Sequence, residues 1–253
     1  MRSILLIFTA GLVAVGALIA AHATSPVRVT MSAPSAGGDK ALGRSIRDYL
    51  MANPEVLVEA MQELERKQDS QRDTMAQKGI SEHEKELLSD PESPVSGNPN
   101  GNVTVVEFSD YQCPYCKRSY GAIKRVLAKD GNVKLVLKDL PILGEASRIA
   151  ALAALAARNQ HKHEALHNAL MEFSGKLDRD HIMQIASSVG IDTQQLQKDM
   201  EDPKLKESLD RNMALATALG VRGTPAFVIG KQFVPGAVDA DALKQLIDDA
   251  RKI

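Results

Sequence analysis

The sequence has no tryptophan, and its aromatic content is only 4%. A platform for stacking nucleic-acid bases needs exposed rings, so this scarcity argues against one. Charge of one sign is also missing: 31 Lys and Arg against 32 Asp and Glu give a formal net charge of -1. Nucleic-acid binders rely on a basic face, and no such partner is expected. Only two cysteines occur, Cys113 and Cys116. That excludes a disulfide-stapled miniprotein, and a four-ligand structural zinc site would need most of its ligands elsewhere. What is present is ordinary. Hydrophobic residues at 44% and charged residues at 25% exclude wholesale disorder, collagen and a multi-span membrane protein. The 253 residues suffice for one or two domains with a buried core.

The first 23 residues read as a secretory signal peptide. Arg2 supplies a basic start, residues 4–21 are uncharged and mostly apolar, and Ala21-His22-Ala23 is a cleavage pattern before Thr24. An uncleaved membrane anchor is the other reading, because roughly 18 apolar residues just span a bilayer. Cleavage is favoured, since Gly11 and Gly16 weaken a stable helix. Either way the rest of the chain is delivered outside the cytoplasm, into a compartment where disulfides form and persist.

Residues 24–40 are small, polar and interrupted by Pro and Gly, which predicts a flexible linker. Residues 41–89 then read as a helical arm. Asn53-Pro54 is a helix start, and Ser81 with Glu84 forms a candidate capping box. Leu42, Ile46, Leu50, Leu57, Met61 and Leu64 make an apolar stripe at helical spacing. Leu50, Leu57 and Leu64 fall seven apart, as in a coiled-coil seam. The stripe is too thin for a core, so the arm is read as an oligomerisation segment. A turn-rich stretch, 90–101, is expected to act as a second linker. Beyond it the order is a strand at 103–108, helix, strand at 133–137, a block of helices, two short strands from 226 to 234, and a last helix. This is a mixed α/β domain, 102–253, with a helical insertion at about 143–219.

The chemistry concentrates at Cys113-Pro114-Tyr115-Cys116, after a strand and opening a helix. The unpaired N–H groups and positive dipole end of a helix favour thiolate over thiol at Cys113. Such a thiolate attacks disulfides, and Cys116 one turn inside can resolve the mixed disulfide. No second cysteine pair exists to complete a metal site, so no metal and no cofactor is expected. Gly223-Thr224-Pro225-Ala226 precedes a strand, where a proline is often cis. A cis-Pro loop facing the cysteines leaves the Thr224 backbone free to pair with an extended substrate. Glu107, on an otherwise apolar strand, is expected to be buried, with a raised proton affinity, and able to take a proton from the resolving thiol through water. Lys138 on the next strand is its expected charge partner. His163-Glu164-Ala165-Leu166-His167 matches a zinc-protease pattern, yet no third ligand stands out and His161 lies off that face. It is read as a solvated helix start.

Three separated stretches, FSDYQCPYCK (108–117), KDLPILG (138–144) and GVRGTPAFVIG (220–230), together resemble the DsbA family of bacterial periplasmic thiol-disulfide oxidoreductases. LHNALME (166–172) is similar to that family's helical insertion. The stretch 46–65 is similar to the arm of the ScsC, suppressor-of-copper-sensitivity, group. The resemblance implies a thioredoxin fold with an inserted helical domain, preceded by an α-helical arm. It implies Cys113 as the exposed nucleophile, Cys116 as the resolving cysteine, Glu107 as the buried acid, and Thr224-Pro225 as the cis-Pro loop that binds substrate beside Pro114 and Tyr115. The implied partners are proteins with thiols or disulfides and a membrane redox partner that recharges the pair. A homo-oligomer, a trimer by resemblance to ScsC, is also implied. Where the family's strongest oxidant carries Pro-His between the cysteines, this chain carries Pro-Tyr, which implies a weaker oxidant. Periplasmic isomerase activity is favoured over oxidase activity, and a Cu(I) carrier using the same two thiolates is the alternative.

Overall fold

A computed structural model describes residues 36–252. The expected signal peptide and most of the first expected linker lie outside the described residues. Among those described, no helix is long and apolar enough to cross a membrane. Helix α1 (Ala36–Ala52) begins inside the stretch expected to be linker. It stops at Asn53, whose backbone N–H and side-chain amide both donate to the Tyr49 carbonyl at 2.9 Å. Asn53 thus closes the helix before it, and α2 (Glu55–Glu82) starts directly after Pro54. The expected capping box does not form. Ser81 lies within α2, and α3 (Glu84–Leu88) follows His83 with no side-chain cap.

Leu42, Ile46 and Tyr49 of α1 are exposed, as are Leu57, Met61 and Leu64 of α2. Further along α2 the character changes: Ala76, Gly79 and Ile80 are buried. Gly79 is required there, because a Cβ would lie 2.9 Å from the Ala218 carbonyl oxygen. The end of the expected arm is therefore part of the core.

Five strands form one sheet: β1 (Val95–Gly97), β2 (Val103–Ser109), β3 (Val133–Asp139), β4 (Ala226–Ile229) and β5 (Gln232–Pro235), in the order β1-β3-β2-β4-β5. Strands β2 and β3 are parallel and the other pairs antiparallel. The stretch 90–101 is not the free linker its composition suggests. It contributes β1, its Pro94 carbonyl accepts from Leu137 N–H at 2.9 Å, and Arg158 donates to the carbonyls of Pro91 and Glu92. A three-residue edge strand is too short to show a two-residue hydrophobic alternation.

Helices cover both faces of the sheet, which is why β2 and β3 are near-continuous β-branched and apolar runs. On one face, Val105, Leu135, Leu137 and Phe227 pack against α4 (Pro114–Asp130) and α10 (Ala240–Ala250). On the other, Val106, Phe108, Val136 and Val228 pack on Ile80, Leu87, Leu215 and Leu219. Between β3 and β4 come five helices: α5 (Glu145–Ala156), α6 (His163–Glu172), α7 (Arg179–Ser188), α8 (Thr193–Asp199) and α9 (Pro203–Ala218). Side chains of Asp178, Asp192 and Asp202 cap α7, α8 and α9, each accepting from a first-turn N–H. Fully buried Ala150, Ala153 and Ala154 let the neighbouring helices approach α5 closely. The result is a thioredoxin fold with a helical insertion, preceded by a helical segment.

Candidate active site

Cys113 is the N-cap of α4, with Pro114 in the first helical position, where its missing N–H forfeits no bond. The backbone N–H of Cys116 donates to Cys113 Sγ at 3.4 Å. That is the helix-terminus support for a sulfur anion expected from the motif. Both cysteines are free thiols. The Thr224–Pro225 peptide bond is cis, and Cys113 Sγ donates to the Thr224 carbonyl at 3.2 Å. Residues 111 positions apart thus meet at one point. Cys113 is only 3% exposed, which differs from the exposed nucleophile the resemblance implied. The Thr224 carbonyl and the cis-Pro loop lie over the sulfur. Cys116 is fully buried, and burial pushes its thiol well up. Pro114 and Tyr115 are exposed at the mouth, with the Arg118 guanidinium 5.1 Å from the Tyr115 ring centre. A groove of about 590 Å³ adjoins the loop, lined by Arg72, Arg222, Thr224, Pro225, Phe233 and Pro235 among others.

Glu107 is buried as expected, and its partner is not Lys138. Side chains on a strand alternate between faces. The parallel register pairs Glu107 with Leu137, so Lys138 points to the opposite side of the sheet. There its ammonium donates to Asp90 at 2.8 Å. The acid that shares the face of Glu107 is Asp139, which is buried too. Burial, then the neighbouring Asp139 charge, push the Glu107 carboxyl up to about 8. Burial pushes Asp139 up to about 7. A cavity of about 270 Å³ lies against Glu107, lined also by Tyr120, Ile123, Lys124, His167 and Asn168.

His167 is not solvated, contrary to the reading of its helix as a polar start. It is buried, and its Nδ1 pairs with the Tyr111 hydroxyl at 3.0 Å. Burial lowers its pKa to about 4, so the ring is neutral near pH 7. His163 and His167 stack with ring centres 5.9 Å apart, an arrangement that packs the rings side by side. Among the described residues, no group of three or more His, Cys, Asp or Glu is placed to hold a metal ion.

Sequence reasoning missed Asp110. Its carboxylate accepts from the backbone N–H groups of Gln112, Ile142 and Leu143 at 2.8, 2.9 and 3.0 Å. It ties the loop that carries Cys113 to the loop after β3. An acidic residue three before a cysteine at a strand end was the available signal, since Asp side chains accept from backbone N–H groups in turns.

The DSBA-like thioredoxin domain family matches residues 104–248, more than half of the chain. The chain belongs to this family. Residues 40–71 match the N-terminal domain of the copper resistance protein ScsC. A thioredoxin-like oxidoreductase from Silicibacter pomeroyi is 50% identical, with a TM-score of 0.66 over 67% of this chain and 98% of that one. A linker-deletion mutant of ScsC from Proteus mirabilis is 31% identical, with a TM-score of 0.66 over 88% of this chain and all of that one. Among curated proteins, a sodium/proton antiporter NhaA from Herminiimonas arsenicoxydans is 28% identical over 165 residues, 64% of this chain and 26% of that protein. The chain thus spans about a quarter of the length of the first curated relatives it matches.

Proposed function

We propose that this chain is a periplasmic thiol-disulfide oxidoreductase, exported by a cleaved signal peptide, that acts on protein substrates and works chiefly as an isomerase. The observation that carries the reading is Cys113 Sγ, bonded to Cys116 N–H at a helix start and 3.2 Å from the carbonyl beside a cis-proline. The Cys113 thiolate attacks one sulfur of a substrate disulfide. A Cys113–substrate bond forms, the substrate bond breaks, and the other substrate sulfur leaves as thiolate. An extended substrate segment lies against the Thr224 backbone and Pro225, with Pro114 and Tyr115 at the rim. For isomerisation, the freed substrate thiolate attacks a second substrate disulfide, and a substrate thiolate then releases Cys113. If no new pairing arrives, Cys116 attacks Cys113 and frees the substrate fully reduced. Glu107 takes the Cys116 proton as that attack begins. The protein pair is then oxidised, and a membrane redox partner returns it to the dithiol.

The exposed apolar residues of α1 and α2 support a homo-oligomer, and the ScsC likeness supports a trimer. Several active sites then surround one misfolded substrate. A Cu(I) carrier is the second reading, drawn from the two soft thiols and the copper-resistance family matched by residues 40–71.

The test is recovery of a substrate with scrambled disulfides by the reduced mature chain. Recovery that vanishes in Cys113→Ala and falls several-fold when residues 41–58 are deleted, with native mass dropping to a monomer, is the expected result. Rapid oxidation of a reduced substrate by the disulfide form, with no recovery, makes it an oxidase. Tight Cu(I) binding that blocks exchange, with neither activity, makes it a carrier.

A further inference from the structure

Strand β2 places Glu107 and Ser109 on one face of the sheet, and the parallel register sets Asp139 of β3 opposite Ser109. With strands about 4.8 Å apart and about 3.3 Å rise per residue, the Cα atoms of Glu107 and Asp139 are diagonal neighbours at roughly 8 Å. Both side chains are buried, at 2% and 3% exposure. Glu107 Oε1, Ser109 Oγ and both Asp139 carboxyl oxygens have no hydrogen-bond partner of ordinary geometry, while the Tyr111 hydroxyl lies close enough to Asp139 to lower its proton affinity in part. Two ionised carboxylates in that setting would each carry an uncompensated charge, which costs several kcal/mol per ion. The helix above fixes what the acids can reach. Cys116, Tyr120 and Ile123 recur at helical spacing on one side of α4, and Tyr120 and Ile123 line the cavity that Glu107 faces. Cys116 sits one turn before Tyr120.

We infer that Glu107 and Asp139 work as one acid pair that shares a proton beneath the resolving cysteine, with Asp139 as the positioning residue that sets how tightly Glu107 holds it. This inference rests on the exchange reading above and goes beyond it by adding Asp139. When Cys116 attacks Cys113, its S–H bond breaks and the proton passes to the singly ionised pair. The Cys113–Cys116 bond forms, the Cys113–substrate bond breaks, and the substrate sulfur leaves with the electron pair. The pair then holds two protons and returns one to water through the cavity. Other titratable groups face the pair. Asp110 and Tyr111 come from the loop after β2, Tyr120 and Lys124 from α4, and Glu164 and His167 from α6. Lys124 is bonded to Glu172 at 2.9 Å, and His167 is bonded to Tyr111.

The experiment follows the carboxyl carbons of Glu107 and Asp139 by NMR against pH, in the full mature chain and in Asp139→Asn, Asp139→Glu and Glu107→Gln. In parallel, the reduced chain is mixed with oxidised glutathione, and the closure of Cys113–Cys116 is timed from pH 5 to pH 9. Asp139→Asn lowers the Glu107 midpoint by about one pH unit, and the acid limb of the closure profile moves with it. Asp139→Glu restores both. Glu107→Gln lowers the Asp139 midpoint by the same amount, since coupling between two sites is reciprocal, and this arm decides the matter if Asp139→Asn does not fold. Midpoints that stay put in an exchange-competent protein overturn the pair alone. A wild type inert to glutathione overturns the exchange reading, and the role of the pair with it.

Discussion

Lys138 and Asp139 are chain neighbours, both buried and both on β3, yet they live in opposite surroundings. Lys138 points to the face where Asp90 waits at 2.8 Å, and Asp90 is itself held by Ser93 Oγ at 2.8 Å. Asp139 points to the other face, where its charged neighbours are the acids Glu107 and Asp110 and no cation pairs with it. The first arrangement satisfies its charge and fastens the stretch after α3 to the sheet. The second leaves proton affinity raised and unspent. A buried charge that is fully paired belongs to the architecture, and one that is left wanting is available to chemistry.

The largest effect should come from breaking the satisfied side. Asp90→Ala leaves a buried ammonium without its partner and should cost roughly 3–5 kcal/mol in denaturant unfolding. Adding Lys138→Met should recover most of that loss. A cost below about 1 kcal/mol would show that the two faces do not differ as described.

Next comes the unsatisfied side. Between the ordinary Glu value of 4.5 and about 8, folded Glu107 holds a proton that the unfolded chain has released. Stability therefore falls as pH rises through that window. In Glu107→Gln the fall should be much shallower, leaving the variant more stable than the parent near pH 8 and little changed below pH 4.5. Urea unfolding across pH checks it, and parallel curves for the two proteins would sink the claim.

The smallest effect concerns His167, kept neutral by burial down to about pH 4. Below its ordinary value of 6.5 the unfolded chain binds a proton that the folded one refuses, so stability is lost as pH falls toward 4. His167→Gln should soften that acid limb by about 1 kcal/mol at pH 5.5. Thermal melts at pH 7.5 and 5.5 measure the difference, and an unaltered gap between them would remove His167 from the account.

Much of this was legible in the sequence. The β-branched runs at 103–108 and 133–137 and the Cys-Pro at a helix start located β2, β3 and the redox pair, because each is a local signal. Thr224-Pro225 was legible as a cis candidate from its place before a strand. The error over Lys138 was avoidable in principle. Which residues share a face follows from parity along the two strands, but only once the register between them is known, and register is a long-range property. Asp90 and Arg158 act across dozens of residues, so no pattern in the chain announces them, whereas Asp110 left only the weak signal of an acid at a strand end. The His163/His167 helix was misread because burial in the insertion depends on α5 and α7 closing over it.

β1 has a consequence for traffic. An edge strand offers a row of open N–H and C=O groups to any passing polypeptide. By occupying the outer side of β3, Val95–Gly97 fills the berth farthest from the cysteines with the chain's own backbone. Among the described strands the outer edges are the three-residue β1 and, at the other end, β5, whose Pro235 pairs with Ala226 and whose following Gly236 donates to the Pro225 carbonyl at 3.0 Å. A client that joins the sheet at β5 does so next door to the sulfur that will react with it.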